Sequence, residues 1–279
     1  MGPVRLTVHT GMSIANAGPD TPTIHHFTPS LSLVGSFSGV KFDVGSPPRA
    51  NPWHPRETPP VTTTPPPPVA TAVSAGMRAL LARRAAELDA GAEAVGWKIG
   101  FNAKGIQEHF GLDGPVVGYL TDSTLRPAGD AISLQGWQRP ALEVEVAIRV
   151  GANGDVAALA PALELVDLRV PADTLELILA NNIFHQGVVF GPESTGADVR
   201  DLVVTVTGGS ERLEAVGHLT EPPAETVAVV RTFLAAHGAT LEPGDRIIAG
   251  SLIAPLPIEP GDEVEVGFGI LGRLSAHFC

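Results

Sequence analysis

Three stretches of this chain bring together residue types that can do chemistry. In Pro140-Ala141-Leu142-Glu143-Val144-Glu145-Val146-Ala147-Ile148 two carboxylates alternate with aliphatic residues. Alternate residues of a strand share a face, so Glu143 and Glu145 point the same way, roughly 6.5–7 Å apart along the chain. Leu142, Val144, Val146 and Ile148 share the opposite face. Two carboxylates so placed begin an oxygen site for a hard divalent cation, which takes several oxygens. The same alternation is also what a half-solvated strand shows. A third carboxylate stands in Pro161-Ala162-Leu163-Glu164-Leu165-Val166-Asp167-Leu168-Arg169, where Glu164 interrupts an apolar strand with Asp167 close behind. A carboxylate buried among Leu and Val needs a partner. A metal is one solution; a solvated face or Arg169 are the others.

The third stretch is Gly96-Trp97-Lys98-Ile99-Gly100. Glycines beside a strand lysine permit close approach of backbone or ligand, and a partly buried ammonium can have its pKa lowered into the range useful for proton transfer. The alternative is an edge lysine reaching for solvent. Asp122, in Gly118-Tyr119-Leu120-Thr121-Asp122-Ser123, is available to pair with Lys98 or to serve as a turn residue. His109, His185 and His237 fall at or near element ends and read as capping or satisfied core residues. Glu108 beside His109 keeps a hydrolytic His–carboxylate pair open. No nucleophile elbow appears. The single cysteine, Cys279, excludes a disulfide framework and a cysteine-built metal site, which leaves oxygen or imidazole ligands.

The elements that must position these residues begin near Thr71. Met77, Leu80, Leu81, Ala85 and Leu88 fall at helical spacing, with Gly91 at the closing position. Strands are expected over 95–101, 139–150, 163–168, 203–207, 211–217, 246–249, 263–268 and 273–278. Helices are expected from an Asn102 cap to about Phe110, over Pro171–Asn182, and near 224–237. Strands outnumber helices and hairpin turns recur, which predicts an α+β fold with a sheet-rich core. Residues 1–70 differ in kind: ten prolines lie between Pro47 and Pro68, and the segment reads as a flexible extension preceding a catalytic domain over 71–279.

Composition narrows the function classes. The 279 residues are 44% hydrophobic and 17% charged, as in a globular protein. The net charge of −12 argues against a nucleic-acid partner. Residues 1–70 hold four basic and three acidic side chains, so the remaining 209 carry −13. No apolar run approaches the roughly 20 residues that span a bilayer, and Met1–Asp20 shows no secretory pattern. The expectation is a cytoplasmic protein with no membrane partner. An anionic substrate would need a local cation, and Lys41, Lys98 and Lys104 are the chain's only lysines.

Gly96-Trp97-Lys98-Ile99-Gly100, then Gln107, Gly111 and Pro115, then Gly118-Tyr119-Leu120-Thr121-Asp122 resemble the 2-oxopent-4-enoate hydratase and 4-oxalocrotonate decarboxylase branch of the fumarylacetoacetate hydrolase superfamily. The runs Arg139–Glu145, Pro161–Asp167 and Ile247-Ile248-Ala249-Gly250-Ser251-Leu252, with Pro255, Pro257, Pro260-Gly261-Asp262 and Gly272, are similar too. The likeness covers about residues 71–279. It implies a mixed β-sheet roll or sandwich with peripheral helices. It also implies Mg²⁺ or Mn²⁺ held by Glu143, Glu145 and Glu164, with Lys98 and Asp122 as an acid–base pair and Ser251 near the substrate carboxylate. A glutamate at 164 resembles the hydratase and decarboxylase branch, where the hydrolases usually carry aspartate. The implied activity is addition of water to a 2-hydroxy-2,4-dienoate, giving a 4-hydroxy-2-oxo acid, by a homo-oligomeric enzyme of aromatic catabolism. The alternatives are decarboxylation of a 2-oxo-dienedioate, hydrolysis of an acylpyruvate, or a non-catalytic partner subunit. One stretch departs from the pattern: Asn181-Asn182-Ile183-Phe184-His185-Gln186 replaces a run of small residues, which implies a larger or different substrate if it lines the pocket.

Overall fold

The computed structural model describes residues 68–168, 174–199, 202–208 and 211–279. The extension expected over 1–70 lies almost wholly outside them, as do Arg169 and the start of the helix expected from Pro171. The described elements run α1 (Val69–Asp89), β1 (Ala94–Gly100), α2 (Lys104–Phe110), β2 (Val116–Thr121), β3 (Ala131–Ile132), β4 (Pro140–Val150), β5 (Val156–Asp167), α3 (Leu175–Ala180), β6 (His185–Phe190), β7 (Leu202–Gly208), β8 (Glu211–Gly217), α4 (Pro223–Ala236), β9 (Arg246–Ile248), β10 (Leu256–Pro257), β11 (Glu263–Phe268) and β12 (Arg273–Phe278). Short 3₁₀ turns follow β2 and β11. The α+β class holds.

Two sheets carry the fold. The larger has the order β2-β1-β9-β4-β5-β6, with β10 paired to β4; the smaller runs β3-β12-β11-β7-β8. One large core joins them, filled by Trp97, Leu142, Val144, Ile148, Leu163 and Leu165 from the first sheet and by Val204, Val266, Phe268 and Phe278 from the second. Helix α1 packs on α3, and α4 packs on β2, β4 and β5. The first packing is close because Gly76 has no side chain: a Cβ there would lie 2.6 Å from Leu179 Cβ.

The larger sheet curls. After β2 the chain comes round to β6, where Leu125 forms a parallel bridge with Val188 and the Arg126 amide donates to Val188 O at 2.9 Å. The enclosed face carries a second, small cluster of Leu120, Ala147, Ala160, Ala162, Val188 and Ile248. Alanine at three of these positions suits the inside of a sheet that closes on few strands. Cross-strand partners stand on the same face. The register Gly118–Lys98–Ile248–Ala147–Ala160 therefore puts Lys98 on the enclosed side. Glu143 faces Glu164 directly across the β4–β5 hairpin, and Glu145 faces Ala162.

Several boundaries differ from the sequence expectation. Asn102 does not cap α2, whose flanking residue is Ala103; the Asn102 amide instead donates to Thr220 Oγ1 at 3.1 Å. The helix expected over Pro171–Asn182 is described only as α3, where Thr174 caps by accepting from the Leu177 amide. Strands β2 and β6 were not anticipated. β2 is a largely apolar run broken by glycine and β6 opens on His185 and Gln186, and neither shows the alternation that marks a half-exposed strand.

Candidate active site

Glu143, Glu145 and Glu164 each present an oxygen to a common region, with those oxygens within 4.8 Å of one another. The strand pairing explains it: Glu143 and Glu164 are direct partners, and Glu145 is two residues along the same face. Glu145 and Glu164 are fully buried, and Glu143 is half-buried. Glu145 Oε2 accepts from the Gly250 amide at 2.7 Å. Glu164 Oε1 takes Lys98 Nζ at 2.5 Å and His185 Nδ1 at 2.8 Å. The other two oxygens, Glu145 Oε1 and Glu164 Oε2, are buried with no hydrogen-bond donor. Buried carboxylate oxygens are costly when unpaired. Two such oxygens in a cluster of three carboxylates fit a divalent cation in charge as well as in donor type. With all three carboxylates ionised, as metal ligation requires, they and the one ammonium sum to −2, which a divalent cation would neutralise.

The electrostatics follow from the crowding. Burial first, then the neighbouring Glu164 charge, raise Glu143 to about 7 against the pull of Lys98. Burial, Glu164 and Glu143 push Glu145 well above the carboxylate range. Burial also acts on Glu164, but the Lys98 charge and the His185 hydrogen bond outweigh it and hold that carboxyl low. For Lys98 burial lowers the pKa, yet the charges of Glu164, Glu143 and Glu145 reverse the sign and leave it above an ordinary lysine. The lowered value expected from sequence is thus corrected. The sequence shows burial, while the net effect depends on which charges the fold brings near.

Lys98 also donates to Ile183 O at 3.0 Å. That carbonyl belongs to a segment in which Asn182, Ile183 and Phe184 all have positive φ (56°, 51° and 65°). Left-handed backbone is costly for a β-branched residue. It is held here because the Asn182 side chain acts as a short strand: its Oδ1 accepts from the Tyr119 amide and its Nδ2 donates to Tyr119 O, both at 2.9 Å. Space for it exists because residue 118 is glycine. A Cβ there would lie 2.6 Å from Asn182 Oδ1 and 2.8 Å from Lys98 Cγ.

Asp122 is not brought to Lys98. It is exposed, and its Oδ1 accepts from the Glu93 amide at 2.8 Å, tying the 3₁₀ turn after β2 to the start of β1. The sequence offered it as a partner for Lys98 or as a turn residue, and could not show that the turn faces outward. Ser251 is half-buried next to Gly250, and its hydroxyl donates to Ile253 O at 2.7 Å. His185 was undervalued. It is a buried residue, as expected, but it is bonded to Glu164, and its Nε2 lies 3.0 Å from Thr124 Oγ1. A His–carboxylate pair therefore exists after Gly100, where none was clear from sequence. Its partners lie 21 and 61 residues away, beyond any local pattern. Both ring nitrogens are engaged and buried, which makes it unsuited to activating water.

No family model matches the chain. The 4-oxalocrotonate decarboxylase of Pseudomonas putida is 27% identical over 211 residues, covering 67% of this chain and 78% of that protein. The 2-hydroxyhexa-2,4-dienoate hydratase of Comamonas testosteroni is 28% identical over 209 residues, covering 67% and 79%. Among solved structures, the 4-oxalocrotonate decarboxylase of Pseudomonas putida G7, complexed with magnesium and adipate, superposes with a TM-score of 0.68 at 22% identity, over 76% of this chain and 86% of that one. In sequence the chain is similar to 4-oxalocrotonate decarboxylases and to hydratases of 2-hydroxy-dienoates, and it shares the decarboxylase fold. Among the described residues no helix is long and apolar enough to cross a membrane.

Proposed function

We propose that this protein is a divalent-metal-dependent hydratase that adds water to a 2-hydroxy-2,4-dienoate to give a 4-hydroxy-2-oxo acid. The observation that carries the reading is the convergence of three carboxylates, two of them with donor-free buried oxygens, beside one buried ammonium. The likeness to the Comamonas testosteroni hydratase supports the reaction class. A Mg²⁺ or Mn²⁺ held by Glu143, Glu145 and Glu164 would supply Lewis acidity and positive charge for the substrate's carboxylate and 2-oxygen.

The chain's own residues do the rest. In the metal-free site the charges of Glu164, Glu143 and Glu145 outweigh burial and hold the Lys98 proton at Nζ. An ammonium there is placed to protonate the far carbon of the dienol and to take back the proton that the 2-hydroxyl loses as it becomes the ketone, so the step leaves the site's charge unchanged. Glu164 Oε1 and Ile183 O fix the ammonium in place. Water then adds at the far end of the conjugated system. Ser251 would leave Ile253 O to donate to the substrate carboxylate. Asp122, exposed and bonded to the Glu93 amide, would join the proton path only after the turn moved.

Decarboxylation of a dienedioate is the second reading, supported by the Pseudomonas putida relative. It stands second because hydratases are named among the relatives for both a monocarboxylate and a dicarboxylate substrate. We further propose that residues 71–279 form the catalytic domain, that the enzyme is a cytoplasmic homo-oligomer, and that neither nucleic acid nor membrane is a partner.

The test is an ultraviolet assay of freshly generated 2-hydroxypenta-2,4-dienoate and its longer and carboxylated analogues, with Mg²⁺, Mn²⁺ or chelator. The hydratase reading expects loss of the dienoate absorbance without release of CO₂, abolished by chelator and by Glu143→Gln or Glu164→Gln. Undiminished turnover in chelator would refute it. Purified protein that binds no metal would favour the non-catalytic subunit.

A further inference from the structure

The two donors on Glu164 share one oxygen. Lys98 Nζ and His185 Nδ1 both reach Oε1, at 2.5 and 2.8 Å, and Oε2 is buried with none. A carboxylate free to rotate would divide two donors between its two oxygens, or turn both oxygens toward a cation. Here the backbone prevents the first arrangement. His185 opens β6 at the point where the β5–β6 register slips, with Val166 opposite His185 and Leu165 opposite Gly187, so that Gln186 is the extra residue. The slip sets His185 out of step with the regular ladder and brings its ring alongside Glu164. The far side of the ring meets Thr124 Oγ1 at 3.0 Å, on the segment that closes the curled sheet through Leu125. An ionised carboxylate can only accept, so Nδ1 carries hydrogen whatever the charge on the ring.

We propose that His185 is a positioning residue that holds Glu164 to one free oxygen and thereby makes the metal site selective for a small octahedral cation over a larger one. The inference rests on the acidic cluster being a metal site, as read above. Glu145 is limited in the same way, since Gly250 N occupies its Oε2 and leaves Oε1. Two of the three carboxylates can thus offer a single oxygen each. Ca²⁺ prefers six to eight oxygens and takes carboxylates bidentately, whereas Mg²⁺ keeps to six and accepts single oxygens with water completing the shell. Releasing Oε1 of Glu164 removes the restriction on that side. Lys98 alone would pin Oε1 at a single point about which the carboxylate can still turn, whereas the ring clamped at both nitrogens adds a second.

The experiment is isothermal titration of the purified full-length protein with Mn²⁺, Mg²⁺ and Ca²⁺, without substrate, for the parent, His185→Leu and His185→Asn. The amide of Asn can place a donor near the position of Nδ1. The parent should prefer Mn²⁺ and Mg²⁺ to Ca²⁺ by at least about tenfold. His185→Leu should bind Mn²⁺ about 10–100-fold more weakly and lose most of its discrimination against Ca²⁺, and His185→Asn should recover both in large part. Thr124→Val, which leaves His185 in place and removes its outer anchor, should erode the discrimination without abolishing binding, and it serves if His185→Leu does not fold. Equal Mn²⁺ affinity and equal Ca²⁺ discrimination in the parent, His185→Leu and Thr124→Val would overturn the inference while leaving the metal site standing. A parent that binds no divalent cation would overturn both.

Discussion

Replacing Lys98 by alanine leaves His185 as the remaining donor to Glu164 Oε1. Breaking a buried ion pair on one side costs about 3–5 kcal/mol, because the surviving charge stays buried. Lys98→Ala should therefore unfold at lower urea in chelator, with part of the loss recovered by Mg²⁺. Proton exchange on a substrate analogue should disappear while metal binding persists; a variant that still exchanges would remove Lys98 from the chemistry. Glu143 supplies a pH test in the metal-free protein. Its folded value of about 7 lies above the ordinary 4.5, so the native state holds an extra proton between the two. That contribution is full below about 4.5 and is lost as pH rises through 7. Melting temperature in chelator should fall across this window, and Glu143→Gln, which cannot ionise, should flatten the fall. Much of this site is legible in the sequence, because carboxylates and an ammonium set among aliphatic residues break a period that hydrophobic burial otherwise imposes. His185 is not, since its meaning lies wholly in contacts far along the chain.

At the scale of elements, the site depends on backbones that approach where side chains are missing. Gly96 has φ 149°, and a Cβ there would fall 1.9 Å from Arg246 O on the paired strand β9. Gly118→Ala would press on both Asn182 Oδ1 and Lys98 Cγ. We expect it to cost about 1–3 kcal/mol, as overpacking does. It should also lower kcat more than it raises KM, since it shifts the ammonium rather than the metal oxygens. A variant with unaltered stability and turnover would show that the β2–β1 approach is slack. The glycines around Lys98 were legible as a sign of close approach, but what approaches was not. The left-handed turn at Asn182–Phe184 carries no glycine to announce it. It exists because Asn182 can satisfy the Tyr119 peptide through its side chain, a tertiary contact overriding local preference.

For the molecule as a whole, the α+β class and most strands follow from alternation and turn residues, whereas the closure of the larger sheet does not. One parallel bridge, Leu125 to Val188, joins segments more than sixty residues apart, and no local signal marks either end. Helix α1 begins at Val69, close to the boundary proposed at residue 70. Removing residues 1–66 should leave melting temperature and metal affinity unchanged within error, measured by differential scanning fluorimetry with and without Mg²⁺. A large fall would make the N-terminal segment part of the fold.

Glu143 and Glu164 face each other as direct partners in the β4–β5 hairpin of the larger sheet, a placement in which like charges repel. A bound divalent cation would relieve that repulsion and favour the folded chain over the unfolded one, with melting temperature at rising Mg²⁺ as the readout. The ion would be an assembly partner before it is a reagent.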